Sequence, residues 1–268
     1  MKVSHPKESD VKVDLIDYTG KGTGNPWYAA ALMIWTKQTR VEMDPGGLEA
    51  ILSTSVEEKE RELRYMAATV PSSWEFCDFT FLISGVTRAF THQLVRTRTA
   101  SYAQQAMQVL NVSQGAGWDY HTGVTIAGNT EREEVYRAVM GEIAIGYKHL
   151  LEIGAKTEDA RGVLPTNILT NIVMKANLRT MCDLLRKRAS PRNQGATPGT
   201  DGEWTTAHRE MKARMIEALP WTSLFLERTA DKVAADAYLL LEQVPDKKLR
   251  TDLNKLIDQI LTNVGSGE

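Results

Sequence analysis

The stretch 74–84, WEFCDFTFLIS, limits the possible folds more than any other. It is dense in aromatic and apolar side chains, Phe76 and Phe79 among them, and reads as a strand. Residues 86–95, VTRAFTHQLV, follow at once and read as a helix. Upstream, Thr54 or Ser55 offers an N-cap, and the acidic side chains of VEEKERELRYMA come next, which predicts a helix over 56–69 with a solvated charged face. A strand set between two helices forces an architecture that mixes both. With 268 residues and 42% apolar content, the chain can bury a good core as one domain, or at most two.

The remaining periodicity fills in the frame. Residues 11–18 alternate apolar and polar side chains and predict a strand. GKGTGN at 20–25 holds a G-x-G, but no strand-to-helix dinucleotide unit surrounds it, so it reads as a flexible loop. Residues 26–39 predict a helix with Pro26 in its first turn, and 45–52 a short one. A polar, Gly-rich loop is expected over 111–129, with room for a short strand. Val135, Val139, Ile143, Tyr147, Leu150 and Leu151 mark an amphipathic helix over 131–157. Pro165 suits the start of another helix, and 189–205 is a loop rich in Pro, Gly and polar residues.

Charge and cysteine content narrow the function classes. Basic residues number 32 and acidic residues 34, a net of −2, which argues against a nucleic-acid or membrane surface and leaves room for a local anion pocket. No apolar run approaches membrane-spanning length, and the polar start MKVSHPKESD carries no signal peptide, so a soluble cytoplasmic protein is expected. Cys77 and Cys182 are the two cysteines and make neither a disulfide framework nor a zinc site; Cys182 falls on an apolar helix position and reads as core. Five histidines are scattered, so no metal site is expected, and His92 reads as a packing or hydrogen-bonding residue.

The chemistry concentrates in 92–109, HQLVRTRTASYAQQAMQV. Arg96 and Arg98, two apart, cannot share one helix face, but at a helix exit they can fan around an anion. Gln93, Ser101, Gln104 and Gln105 add neutral donors and acceptors suited to reading a base or flavin edge. The stretch resembles the signature of the flavin-dependent thymidylate synthases (the ThyX family), roughly HQxxRHRxxSxxxxSxR. The HQ, both arginines and the first serine match. Thr97 stands where that family has His, Ala106 where it has Ser and Gln108 where it has Arg, while Gln104 is neutral where an acid is common.

A second block carries the same resemblance. The family has an R-x-x-LP turn, then a helix with N-x-R and, further on, an LR; here Arg161 precedes Leu164 and Pro165, and Asn177, Arg179 and Arg188 follow. Asp183 stands where Asn is common. Glu75 and Ser72 match the family's HxTPFEHxxFxF segment, with Val70 in place of its His. AHREM at 207–211 and Pro220-Trp221 resemble the AQWEI and CPW segments further on.

The resemblance implies an α/β (α+β) fold, a mixed sheet flanked by helices. It implies a catalytic domain over 1–221, interrupted by an inserted loop at 189–206, and a helical C-terminal extension over 222–268 that packs on the same domain. It also implies a homotetramer with active sites shared between subunits, FAD as cofactor, and NADPH and methylenetetrahydrofolate as co-substrates. The implied reaction is C5 methylation, or hydroxymethylation, of a pyrimidine deoxynucleotide monophosphate: dUMP first, with dCMP or UMP as variants. Arg188 and Gln104 would be catalytic, and Gln93, Arg96, Gln104, Ala106, Arg161 and Arg188 would contact the nucleotide. Ser72, Glu75, Arg96, Arg98, Asn177, Arg179 and Asp183 would contact FAD. The altered positions leave a second reading, a non-catalytic nucleotide-binding homologue that has lost flavin. A third, an RNA-binding helical protein using the RTR and LLRKR clusters, is disfavoured by the acidic balance and the lack of aromatic interleaving.

Overall fold

The computed structural model describes residues 11–38, 46–69, 71–106, 120–188, 202–227, 241, 244–246, 248–253 and 255–256; the side chains of Val124, Lys187 and Arg188 lie outside the description. In chain order the elements are β1 (Lys12–Tyr18), α1 (Tyr28–Lys37), α2 (Gly46–Leu52), α3 (Val56–Ala68), β2 (Asp78–Thr87), α4 (Arg88–Leu94), β3 (Ser101–Gln104), α5 (Val124–Ala127), α6 (Thr130–Glu152), α7 (Thr157–Ala160), β4 (Leu169–Asn177), α8 (Leu178–Arg188), α9 (Glu203–Ala218) and α10 (Ser223–Leu226). The strands form one four-stranded sheet in the order β1-β2-β4-β3. Leu178 N donates to Cys77 O at 2.7 Å and Gly85 N to Asn171 Oδ1 at 3.2 Å, so β2 and β4 run antiparallel.

Two compact units divide the chain. One contains the described parts of Met1–Val13, Leu82–Met174 and Gln194–Ala207; the other contains those of Asp14–Phe81, Lys175–Asn193 and His208–Glu268. Strands β2 and β4 each pass through both.

In the second unit, α3 begins as its cap predicts. Glu58 N donates to Ser55 Oγ and Ser55 N to Glu58 Oε2, both at 3.1 Å, a reciprocal capping box. Ala29, Ala30, Ala31, Met33 and Ile34 of α1 are buried. Trp74 and Phe225 meet edge to face at 5.0 Å, and Trp221 Nε1 donates to Pro26 O at 2.9 Å. The GKGTGN stretch forms a single 3-10 turn, Lys21–Thr23; Gly20 precedes it at φ +88°, where an added Cβ would come within 2.9 Å of the Tyr28 side chain.

In the first unit, the rings of Phe90 of α4 and Trp204 of α9 pack at a 32° tilt with centroids 4.2 Å apart. Tyr147 of α6 packs with Ala160, flanked by Leu150, Leu151 and Leu164. Each such large apolar side chain stabilises the fold by about 1.5–3 kcal/mol when buried.

Four expectations are corrected. The strand over 74–84 lies at 78–87 instead, because residues 71–76 wind into a 3-10 turn; from there Phe79, Phe81, Ile83 and Val86 are buried. The helix expected after Pro165 is a strand up to Asn177, since LTNIVMKAN buries every second side chain: Thr170, Ile172, Met174 and Ala176. The long helix stops at Glu152, five residues short of 157, and Gly154 adopts φ +95° just beyond. Residues 203–206 of the inserted loop belong to α9, which Thr206 N opens by donating to Gly202 O at 3.0 Å; 189–201 lie outside the described residues.

Candidate functional site

In the first unit, Thr87 ends β2 and caps α4, its Oγ1 accepting from Phe90 N at 3.0 Å. This makes Arg88 the first helical residue. Its backbone N donates to Ile168 O at 3.1 Å and Ala89 N to Thr166 O at 2.9 Å, tying the helix start to the chain that leads into β4. Thr91 Oγ1 donates to Arg88 O at 3.0 Å and therefore accepts from Gln104 Nε2 at 2.9 Å. That assignment turns the Gln104 carbonyl oxygen away from Thr91.

Gln105 is held as firmly. Its N donates to Asn171 O at 2.9 Å, and Asn171 Nδ2 donates to its Oε1 at 3.0 Å. Asn171 Oδ1 is fixed in turn by Gly85 N. Arg161 opens a short 3-10 turn, with its Nε donating to Glu158 O at 3.1 Å.

These pieces border an open cavity of about 450 Å³ lined by Arg88, Gln104, Gln105, Ala106, Glu158, Arg161 and Gly162. Such a volume is in the range of small-molecule sites. Burial, and then the like charge of Arg161, pull the Arg88 pKa below its ordinary value. Two guanidiniums against the single carboxylate of Glu158 give the wall an excess of positive charge, and arginine forks suit anions such as phosphate.

Of the residues singled out in the sequence, Gln104, Gln105, Ala106 and Arg161 meet in this cavity. Gln93, on α4, is half-buried, and Arg96 and Arg98, beyond its end, are exposed; none of the three lines it. Arg88 also lines the cavity, and the sequence reading did not single it out. The available signal was a guanidinium at the start of a helix predicted over 86–95, just upstream of the signature. His92, expected to pack or to hydrogen-bond, is exposed because α4 turns that face outward.

The second unit holds most of the proposed flavin residues. Glu75 Oε1 accepts from Arg179 Nη1 at 2.6 Å, with both side chains about half exposed. Asn177 ends β4, and its Oδ1 accepts from Thr180 N at 2.9 Å, which caps α8. Ser72 is exposed in the 3-10 turn, and Asp183 pairs with Arg186 along α8. Arg188 ends α8 with its side chain outside the described residues, as are Val70 and Gln108. Burial, the Asp78 charge and Cys182 push the Cys77 thiol far above its usual range, so it is no nucleophile.

A second cavity in this unit, about 330 Å³, carries Asp17, Asp78, Lys21 and Lys175 on its wall. Lys175 Nζ and Asp78 pair at 2.9 Å, and that pairing raises the lysine pKa.

Comparison with known proteins adds an independent line. A family model described as thymidylate synthase complementing protein matches residues 14–198. A flavin-dependent thymidylate synthase of Thermococcus onnurineus is 31% identical over 186 residues, 69% of this chain and 73% of that protein. One from Geobacter sulfurreducens is 35% identical over 120 residues, 45% of this chain and 51% of that protein. Among solved structures, a UMP/dUMP methylase, PolB, from Streptomyces cacaoi, bound with 5-Br dUMP, shares the fold. Its TM-score is 0.59 at 19% identity, over 80% of this chain and 94% of that one. The signature at 92–109, the Arg161 turn and the extent of the match lead to one conclusion: this chain belongs to the thymidylate synthase complementing protein family, the flavin-dependent thymidylate synthases.

Proposed function

We propose that the protein is a flavin-dependent methyltransferase acting at C5 of a pyrimidine nucleotide, with dUMP as the first substrate and dCMP or UMP as variants. The observation that carries this reading is the cavity in which Arg88 and Arg161 stand with Gln104 and Gln105. The two guanidiniums bind the nucleotide phosphate through charge-assisted hydrogen bonds. The amides, each immobilised by a neighbouring side chain, orient the sugar and base. Gln93 and Arg96 extend the nucleotide contacts, and Arg188 stabilises charge developing on the pyrimidine carbonyls.

The chemistry of the donor set fits a flavin nucleotide. Arg96 and Arg98 are exposed and make no salt bridge among the described residues, which suits a phosphate-bearing cofactor. Ser72, Glu75, Arg96, Arg98, Asn177, Arg179 and Asp183 are the residues we assign to FAD. Held by these residues, the flavin, reduced by NADPH, would supply the hydride that converts a methylene from methylenetetrahydrofolate into methyl. Shared sites in a homotetramer and a cytoplasmic setting belong to the same reading. Among the described residues no helix is long and apolar enough to cross a membrane.

The second reading, a binding homologue without flavin, draws on Ala106, which presents a methyl group to the cavity where the family pattern has a hydroxyl. Single-turnover spectroscopy separates the two. Anaerobic protein loaded with FAD and bleached by NADPH should recover its flavin absorbance when dUMP and methylenetetrahydrofolate are added together. Protein that retains no flavin after loading favours the second reading.

A further inference from the structure

Glu203, the first residue of α9, reaches back to the start of α4. Its Oε1 accepts from Thr87 N at 2.6 Å and its Oε2 from Thr87 Oγ1 at 2.9 Å. Thr87 is buried, and its hydroxyl, having donated to Glu203, accepts from Phe90 N. One carboxylate thus fixes both the backbone and the side chain of the residue that caps α4. The residue that follows each partner completes the joint: Trp204 packs at a tilt against Phe90, and Arg88 lines the anion cavity. Glu203 also lies beyond residues 14–198, the extent of the family match, where the segment read as an insertion rejoins the fold.

We infer that Glu203 is a positioning residue for nucleotide binding: by clamping Thr87 it sets the direction in which the Arg88 guanidinium enters the cavity. The inference rests on the reading of that cavity as the phosphate site. The backbone bonds of Arg88 and Ala89 to Ile168 and Thr166 tie α4 down without Glu203. What the carboxylate adds is the rotation and register of the first turn, and a displaced charged ligand near a bound group is costly in affinity. The role is therefore separable from folding.

The test is calorimetric titration of dUMP and of inorganic phosphate into wild type, Glu203→Ala, Glu203→Gln and Thr87→Ser, together with steady-state kinetics. Glu203→Ala should weaken both ligands by about tenfold and raise KM for dUMP to match, with kcat within about twofold. Glu203→Gln, which keeps one acceptor oxygen, should lose less, and Thr87→Ser, which keeps the hydroxyl, should bind as wild type. A role in folding alone would instead reduce the active fraction, lowering kcat at constant KM. If Glu203→Ala does not fold, the ordering of Glu203→Gln below Thr87→Ser and wild type carries the test. Wild type and variants binding dUMP equally would overturn the inference and leave the nucleotide reading standing. Phosphate binding that depends on Glu203, without dUMP binding, would overturn the nucleotide reading and leave Glu203 as a positioning residue for phosphate alone. No binding of either ligand to wild type would overturn both.

Discussion

Arg88 and Arg161 line one cavity although they lie on opposite sides of the chain's long central helix in sequence, and the charge of Arg161 helps depress the Arg88 pKa. A bound dianion relieves that repulsion. Replacing either arginine with Gln removes a charge-assisted hydrogen bond to phosphate and should cost about 1.5–3 kcal/mol of dUMP affinity, roughly ten- to a hundredfold. Titration calorimetry at two salt concentrations checks it, since the wild-type affinity should fall more steeply with salt than that of either variant.

Ala106 occupies the cavity wall at a position where the family pattern places a serine. Restoring the hydroxyl with Ala106→Ser adds one hydrogen-bonding group to the nucleotide side. Binding of dUMP should tighten by about 0.5–1.5 kcal/mol, a factor of roughly two to ten. Unchanged affinity would mean that the side chain at 106 does not meet the ligand.

Ser55 tests stability separately from function. It caps α3 through a reciprocal pair of bonds with Glu58 and lines neither cavity. Ser55→Ala should lower unfolding free energy by about 0.5–2 kcal/mol. Denaturant titration reads that loss, while kcat and KM for dUMP should stay at wild-type values.

His208 makes stability pH-dependent. It is half-buried beside the Leu185 carbonyl, with Nε2 2.7 Å from that oxygen, and desolvation lowers its pKa more than the hydrogen bond raises it. Below about pH 6.5 the unfolded chain therefore binds a proton that the folded state refuses. Stability falls as pH drops from that value toward the folded-state pKa, and this group has no effect above it. Thermal melts from about pH 7.5 down to 5 should show a steeper loss of Tm for wild type than for His208→Gln.

Neither cysteine should be needed for the chemistry. Cys77 is buried with its thiol pushed up, and the Cys182 sulfur faces the Phe225 carbonyl at 3.8 Å. Native protein should leave Cys77 unmodified by a thiol reagent that labels it after unfolding. Cys182→Ala should keep its methylation activity.

Sequence patterns exposed some of this and hid the rest for physical reasons. The cap at Ser55 and the amphipathic run behind it are local, so α3 was legible almost to its end residues. The strand after Pro165 was not, because LTNIVMKAN holds helix-tolerant residues, and its alternating burial exists only once β2 and β3 flank it. Gln104 and Arg161 were legible because they sit inside motif blocks. Arg88 was not, since a lone guanidinium at a helix start means nothing until the Arg161 turn arrives beside it. Glu203 escaped for the same reason: its partner Thr87 is distant in sequence.

Mass spectrometry of the nucleotide tests the central claim most directly. Purified protein would be incubated with FAD, NADPH and methylenetetrahydrofolate, with dUMP, dCMP or UMP in separate reactions. The account predicts a mass gain of one methyl group on one nucleotide, dUMP first, that disappears when flavin is omitted; a hydroxymethyl gain would identify the other product of the same transfer. No gain on any of the three by protein that has retained FAD would contradict it.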